Sequence, residues 1–387
     1  MKLPIYLDHH ATTPVDQRVL EEMLPYFSDS FGNAASIDHE FGYEALQAVN
    51  QSRKKIAVGL GAKSPDEIVF TSGATEADNL ALIGVAERNL DKGKHIITSM
   101  TEHKAIIDTC KFLQYRGWDV TYLNIDQGGL INLDNLKSSI RSDTVLISIM
   151  AANNEIGTLT PLKEIGQIAR DHDVLFHTDA TQAVGYIPID VEKMNIDLLS
   201  LSGHKIYGPK GVGALFVRKS KPRVKISEQQ HGGGHERGMR SGTLNVPGIV
   251  GLGKAFEISV NEMEVNNKHL KHLKDLLWES IRSVNIDVEL NGHPELRLPH
   301  NLSFYIPGIE TRSLLIQLKN DMAISTGSAC TTANVEPSHV IMALGYGEQR
   351  AYSSVRIGIG RENTLEEIEY CSQKLIQATQ KLRRLHS

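Results

Sequence analysis

Glu67-Ile-Val-Phe70-Thr-Ser-Gly73-Ala74-Thr75-Glu76-Ala77 reads as an apolar strand, a tight turn of small residues and the start of a helix. The same sentence recurs outward from it. His95-Ile-Ile-Thr-Ser, Val145-Leu-Ile-Ser-Ile-Met and Val174-Leu-Phe-His-Thr are further runs too apolar for a strand with a wet face, and amphipathic stretches such as Thr75–Asn89 and Lys104–Tyr115 lie between them. Strands buried on both faces and separated by helices predict an α/β domain with a mainly parallel sheet.

The texture changes near residue 260. Residues Asn261 to Val284 carry one helical stripe (Leu273, Leu277, Ile281, Val284), followed by short strand candidates at Asn301-Leu-Ser-Phe-Tyr and Val355-Arg-Ile-Gly-Ile. A last helix opens on the capping-box pattern Thr364-Leu-Glu-Glu367, with apolar positions Ile368, Cys371, Leu375, Ala378, Leu382 and Leu385. A large domain over 15–260 and a smaller α+β unit from 261 onward are expected.

The chain has 387 residues, enough for two packed units, with 41% hydrophobic and 22% charged residues, as in ordinary globular proteins. Three cysteines are too few for a disulfide scaffold. No apolar run reaches a membrane-spanning length of about 18–20 residues, and the first residues carry neither a secretory core nor an Arg-rich transit pattern. A net charge of −5 argues against nucleic acid as a direct partner. A cytoplasmic protein with reduced thiols and no membrane contact is the expectation.

Several motifs fail. Gly248-Ile-Val-Gly-Leu-Gly-Lys254-Ala255 lacks the hydroxyl of a P-loop, His231-Gly-Gly-Gly has no accompanying nucleophile elbow, and glycines between His231 and His235 oppose a helical zinc pair. No resident metal is expected.

Three segments survive. The Gly73 turn offers backbone N–H groups and a helix N-terminus to an anion, phosphate above all. In Ser202-Gly-His204-Lys205-Ile-Tyr-Gly-Pro-Lys210 a lysine leaves an apolar strand into a tight turn, where desolvation would lower its pKa and suit it to Schiff-base chemistry; Lys210 lies deeper in the turn and is read as solvated. Asp179 ends a buried strand, where an acid needs a cationic partner such as a pyridinium ring. Cys110 and Cys371 sit on apolar helical stripes and read as core, whereas Cys330, in Ser325-Thr-Gly-Ser-Ala-Cys-Thr-Thr-Ala-Asn, reads as an accessible nucleophile.

With Tyr6-Leu-Asp-His-His-Ala-Thr-Thr-Pro14, Thr101-Glu-His103-Lys, Asn153-Asn-Glu-Ile-Gly157, Glu236-Arg-Gly-Met-Arg-Ser-Gly-Thr243 and Gly327-Ser-Ala-Cys330-Thr added, the chain resembles cysteine desulfurases of the IscS/NifS family, closest to the IscS branch. The resemblance runs from residue 6 to about 361. It implies a fold-type-I pyridoxal phosphate (PLP) enzyme acting as a homodimer, with residues 1–14 joining 261–387 in the small domain.

By resemblance Lys205 is the Schiff-base lysine, Asp179 the partner of the pyridine nitrogen, Gln182 that of the ring oxygen, and His103 the imidazole stacked on the ring. Ala74, Thr75, Ser202 and His204 form the phosphate cradle, with Thr243 contributed from the other subunit. Asn154 contacts the cofactor and, with Arg356, holds the substrate. L-cysteine would become L-alanine while Cys330, on a mobile loop, takes the sulfur as a persulfide and at most contacts a cluster held by a scaffold partner.

An iron–sulfur scaffold protein or another acceptor, such as a tRNA-thiolation carrier, would receive that sulfur. The sequence stops at Ser387, where IscS-like relatives continue into a scaffold-docking tail, which leaves the docking mode open; alanine at position 34 also replaces an expected proline. Rival readings are a selenocysteine lyase, another fold-type-I enzyme, and a catalytically silent assembly platform.

Overall fold

A computed structural model describes residues 2–284, 286–326 and 336–386. Its first strand, β1 (Ile5–Tyr6), lies outside the main sheet. That sheet comprises β2 (Ile68–Thr71), β3 (His95–Ser99), β4 (Asp119–Leu123), β5 (Thr144–Ser148), β6 (Leu175–Asp179), β7 (Leu198–Ser202) and β8 (Gly213–Val217), in the order β2-β8-β7-β6-β5-β3-β4. Only β8 runs antiparallel to its neighbours. The expected mainly parallel α/β sheet is therefore present.

Side chains alternate between two covered faces. Ile97, Ile147, Phe176, Leu199 and Phe216 pack on one side with Ile56 and Phe256 of helices Glu40–Gly59 and Val246–Asn261. Ile96, Leu146, Leu198 and Leu215 pack on the other with Leu80, Val85 and Ile106 of helices Ala74–Arg88 and Lys104–Tyr115. The P-loop-like run belongs to helix Val246–Asn261, where a Cβ on Gly253 would fall 2.7 Å from Ser52 Cβ. Its glycine serves close helix packing.

In the C-terminal part β9 (Glu289–Leu290), β10 (Asn301–Tyr305) and β12 (Ser354–Gly358) form an antiparallel sheet in the order β12-β10-β9, while β11 (Met322–Ala323) pairs in parallel with β1. The helix expected over 261–284 is present as Met263–Arg282, the second of two successive helices after Val246–Asn261. Val284 falls beyond the second and is exposed, and Leu385, in the last turn of helix Leu365–His386, is exposed too. The capping box holds, with Thr364 Oγ1 accepting from Glu367 N at 3.2 Å and Glu367 Oε2 from Thr364 N at 3.1 Å. Among the described residues no helix is long and apolar enough to cross a membrane.

One buried ion pair ties the loop after β8 to the sheet. Arg53 Nη2 and Nη1 donate to Glu236 Oε1 and Oε2 at 2.6 and 2.8 Å, and Glu236 Oε2 also accepts from Phe70 N at 2.7 Å. Both side chains are almost fully enclosed. Removing one partner strands the other charge, so Arg53→Met should lower unfolding free energy by about 3–5 kcal/mol. Denaturant unfolding checks this, against a loss of at most about 1 kcal/mol for the exposed pair Lys111–Asp108.

Candidate active site

Every loop that follows the carboxyl end of a parallel strand opens on the same side of the sheet, and a cavity of about 1710 Å³ lies there. Ala74, Thr75, His103, Asn154, Asp179, Gln182, Ser202, His204, Lys205 and Arg356 all line it. Thr243 is exposed and lies outside this lining. Cys330 and its loop, 327–335, lie outside the described residues.

At one end, Gly73 (φ +156°) turns β2 into helix Ala74–Arg88 without any side-chain cap. A Cβ at Gly213 would sit 2.7 Å from Gly73 Cα, so glycine there lets the turn approach β7 and β8. Ser202 ends β7 beside this turn, and His204 Nδ1 lies 3.1 Å from Thr12 Oγ1. Burial, then Lys205 and Lys210, push the His204 ring down to about 4 and keep it neutral.

Lys205 lines the same cavity. Its Nζ donates to the carbonyl oxygens of His10 and Ala11 at 2.5 and 2.7 Å. Burial and then Arg356 lower its pKa to about 8, against the opposing influence of Asp179 and Asp8. Lys210, as expected, is exposed.

Asp179 is buried at the far end, its Oδ1 accepting from Thr181 N at 2.9 Å. Behind it stand Asp78 and Glu102, both enclosed. Burial first, and then Asp179, push their carboxyls well above the usual range. His177, between Ser148 Oγ and Ser200 Oγ at 2.9 and 3.0 Å, is pushed down to about 3 by burial.

His103 caps helix Lys104–Tyr115, its Nδ1 accepting from Ala105 N at 3.2 Å. The neutral ring therefore carries its proton on Nε2. Arg356 Nη2 pairs with Asp8 Oδ1 at 2.8 Å, and Nη1 donates to Asn154 O at 3.1 Å. Asp8, His10, Ala11 and Thr12 were not singled out from the sequence, although they sit in the quoted stretch Tyr6–Pro14; clustered polar residues between β1 and the first helix were the available signal. Cys110 and Cys371 are buried, and burial pushes both thiols up to about 12, in line with core positions.

The residues fit pyridoxal phosphate. An uncapped helix N-terminus suits a phosphate, a desolvated lysine lines the same cavity, and the buried Asp179 carboxyl suits a pyridinium nitrogen.

The class-V aminotransferase family model matches residues 5–371. The chain is 52% identical over 387 residues to a cysteine desulfurase IscS from Photorhabdus laumondii, covering all of this chain and 95% of that protein. Among solved structures, a NifS-like protein superposes with a TM-score of 0.91 at 39% identity, covering 98% of this chain and all of that one. A structure titled "SspA in complex with cysteine" gives 0.81 at 40% identity, over 93% and 100% of the two chains.

With the cofactor removed, Lys205 should react with an amine reagent along a curve whose midpoint lies near pH 8, because the neutral amine is the nucleophile and the protonated form dominates below that value. Site-resolved mass spectrometry against pH measures it, and a midpoint near the ordinary 10.4 would show a hydrated amine instead.

Proposed function

Since the chain belongs to the class-V aminotransferase family and, within it, to the IscS-like cysteine desulfurases, we propose that this cavity converts L-cysteine to L-alanine and leaves the sulfur on Cys330 as a persulfide. The observation that carries the assignment of residues is the convergence of Lys205, Asp179 and the Gly73 turn on one cavity.

Asp179 and Gln182 would hold the ring of pyridoxal phosphate, and Ala74, Thr75, Ser202 and His204 its phosphate, with Asn154 beside it. When bound, the cofactor supplies an electron sink for charge developing at the substrate α-carbon. Arg356 suits the substrate carboxylate, because its Nη2 already binds the Asp8 carboxylate. Lys205 Nζ, with a pKa near 8, exchanges protons readily at neutral pH. His103 offers a proton at Nε2, since the helix cap engages Nδ1.

The sulfur step requires a second nucleophile. The Cys330 thiolate forms a bond to the substrate sulfur while the sulfur–Cβ bond breaks. The electron pair of that bond stays with the carbon skeleton, which takes up protons to become alanine. Neither Cys110 nor Cys371 suits this role, since burial holds both as thiols.

A homodimer is the proposed assembly. Leu24, Phe27, Phe31, Phe41 and Tyr43 leave at least half of their surface exposed on one stretch of chain, with the Phe31 and Phe41 rings 5.6 Å apart. An apolar surface of that kind favours self-association, and exposed Thr243 is free to serve a neighbouring site. A large domain over 15–260 and a small domain of 1–14 with 261–387 agree with β1 pairing onto β11. The persulfide would pass to an iron–sulfur scaffold protein, or to a tRNA-thiolation carrier, in a reducing cytoplasm.

Cys330→Ala protein should keep the visible absorbance of bound pyridoxal phosphate and release no alanine from L-cysteine; alanine at the wild-type rate would remove Cys330 from the mechanism. The double variant Phe31→Glu/Phe41→Glu should elute as a monomer in light-scattering chromatography, and an unchanged dimer would place the interface elsewhere.

A further inference from the structure

His10 serves the site described above only through its backbone oxygen, yet its imidazole is fully buried. The ring stacks on His300 at 4.3 Å between centroids, and His300 stacks on Tyr186 at 3.9 Å. Its Nδ1 lies 3.0 Å from Gln182 Oε1 and its Nε2 3.0 Å from Asn301 Nδ2. Asn301 Oδ1 accepts from Arg297 Nη1 at 2.7 Å. Four side chains from three distant segments form one line from the start of β10 to the cavity wall.

The direction of each bond in that line follows from its ends. A guanidinium only donates, so Asn301 must turn its oxygen to Arg297. The Asn301 amide nitrogen then faces two acceptors, Glu155 O at 3.2 Å and His10 Nε2. A lone pair on Nε2 puts the single proton of a neutral ring on Nδ1, which donates to Gln182 Oε1. Gln182 Oε1 is thereby engaged by His10, one of its N–H groups donates to His10 O at 3.0 Å, and the second N–H is available to the cavity that Gln182 lines.

Two further facts hold the logic in place. Burial, followed by His300 and Arg356, pushes the His10 ring well below the ordinary histidine value, so it stays neutral. Arg297, also buried, is pushed down only to about 10 and keeps its charge at neutral pH. Its other hydrogen bonds go to the carbonyl oxygens of His293 and Asn291, so every contact it makes is as a donor.

We propose that Arg297, Asn301 and His10 are positioning residues that fix which way the Gln182 amide faces, holding its oxygen on His10 and an N–H toward the cavity, favouring a cofactor whose ring oxygen is an anion. This rests on the pyridoxal phosphate reading of the site.

The test begins with 15N-histidine NMR of the holoenzyme, the His10 signals being assigned by their loss in His10→Asn. The expected result is a protonated Nδ1 and a bare Nε2; a proton on Nε2 overturns the proposal. Asn301→Asp places an acceptor where a donor stood, so the ring should gain a proton at Nε2. Pyridoxal phosphate titrated into the apoenzyme should then bind about tenfold or more weakly, the loss of a hydrogen bond to a charged group. A displaced proton with undiminished affinity would also overturn it. Arg297→Lys, still donor-only, should preserve the Nδ1 tautomer, and this variant with wild-type His10 decides the question should Asn301→Asp not fold. Wild-type protein that binds no pyridoxal phosphate would instead defeat the cofactor reading, leaving the tautomer measurement standing.

Discussion

The amine of Lys205 is held by two peptide carbonyls, and the arrangement of the site depends on that contact. A buried ammonium is costly unless something accepts its protons, and here the acceptors are His10 O and Ala11 O. Both belong to a strap, residues 5–16, that is itself fixed along its length. Ile5 and Leu7 bond to the backbone around β11, His9 N donates to Gly358 O at the end of β12, and Thr13 N and Asp16 N donate to His204 O and Tyr207 O. The strap thus links the C-terminal sheet to the turn that carries the lysine.

Neutral acceptors matter here. A carboxylate in contact with Nζ would have raised the lysine pKa, whereas carbonyl oxygens hold the ammonium without fixing its charge, and burial brings the value down to about 8. The same choice recurs around the cavity. Asp78 and Glu102 are pushed up, and His177, His204 and His300 are pushed down, each chiefly by burial. The three imidazoles are thereby kept neutral near pH 7, and the two carboxyls resist ionisation. The Asp8–Arg356 ion pair lines the cavity, where a ligand carboxylate can compete for the guanidinium.

Much of the fold was legible because doubly covered strands leave an unmistakable apolar signal: β3 spans the predicted His95–Ser99, and helix Lys104–Tyr115 has the predicted bounds. Chain ends of helices were less so. Val284 and Leu385 continue an apolar period past the point where a packing partner exists, so periodicity overran burial. Lys205 and Asp179 could be suspected from the local cost of a charge near an apolar strand. His10 could not, because its partners stand 172 and 291 residues away and its role lies in the direction of its bonds. A motif shows which residue types are present, but not which way an amide faces.

Topology explains why these distant segments meet. In the main sheet β2, β3, β5, β6 and β7 share one direction, so the Gly73 turn, His103, Asn154, Asp179 and Lys205 all follow carboxyl ends on a single edge. The antiparallel β8 alone separates β2 from β7. Its first residue, Gly213, is level with Thr71 on one side and Ser202 on the other. Because that residue has no side chain, the Gly73 turn can close over β8 toward Ser202, and two segments about 130 residues apart can serve one phosphate. A larger residue there would drive the Gly73 turn from β8 while leaving Lys205 and Asp179, which hang from β7 and β6, where they are. The closeness of the Gly73 turn to Ser202 is therefore a packing consequence of β8, and the placing of the Lys205 amine is a consequence of the strap.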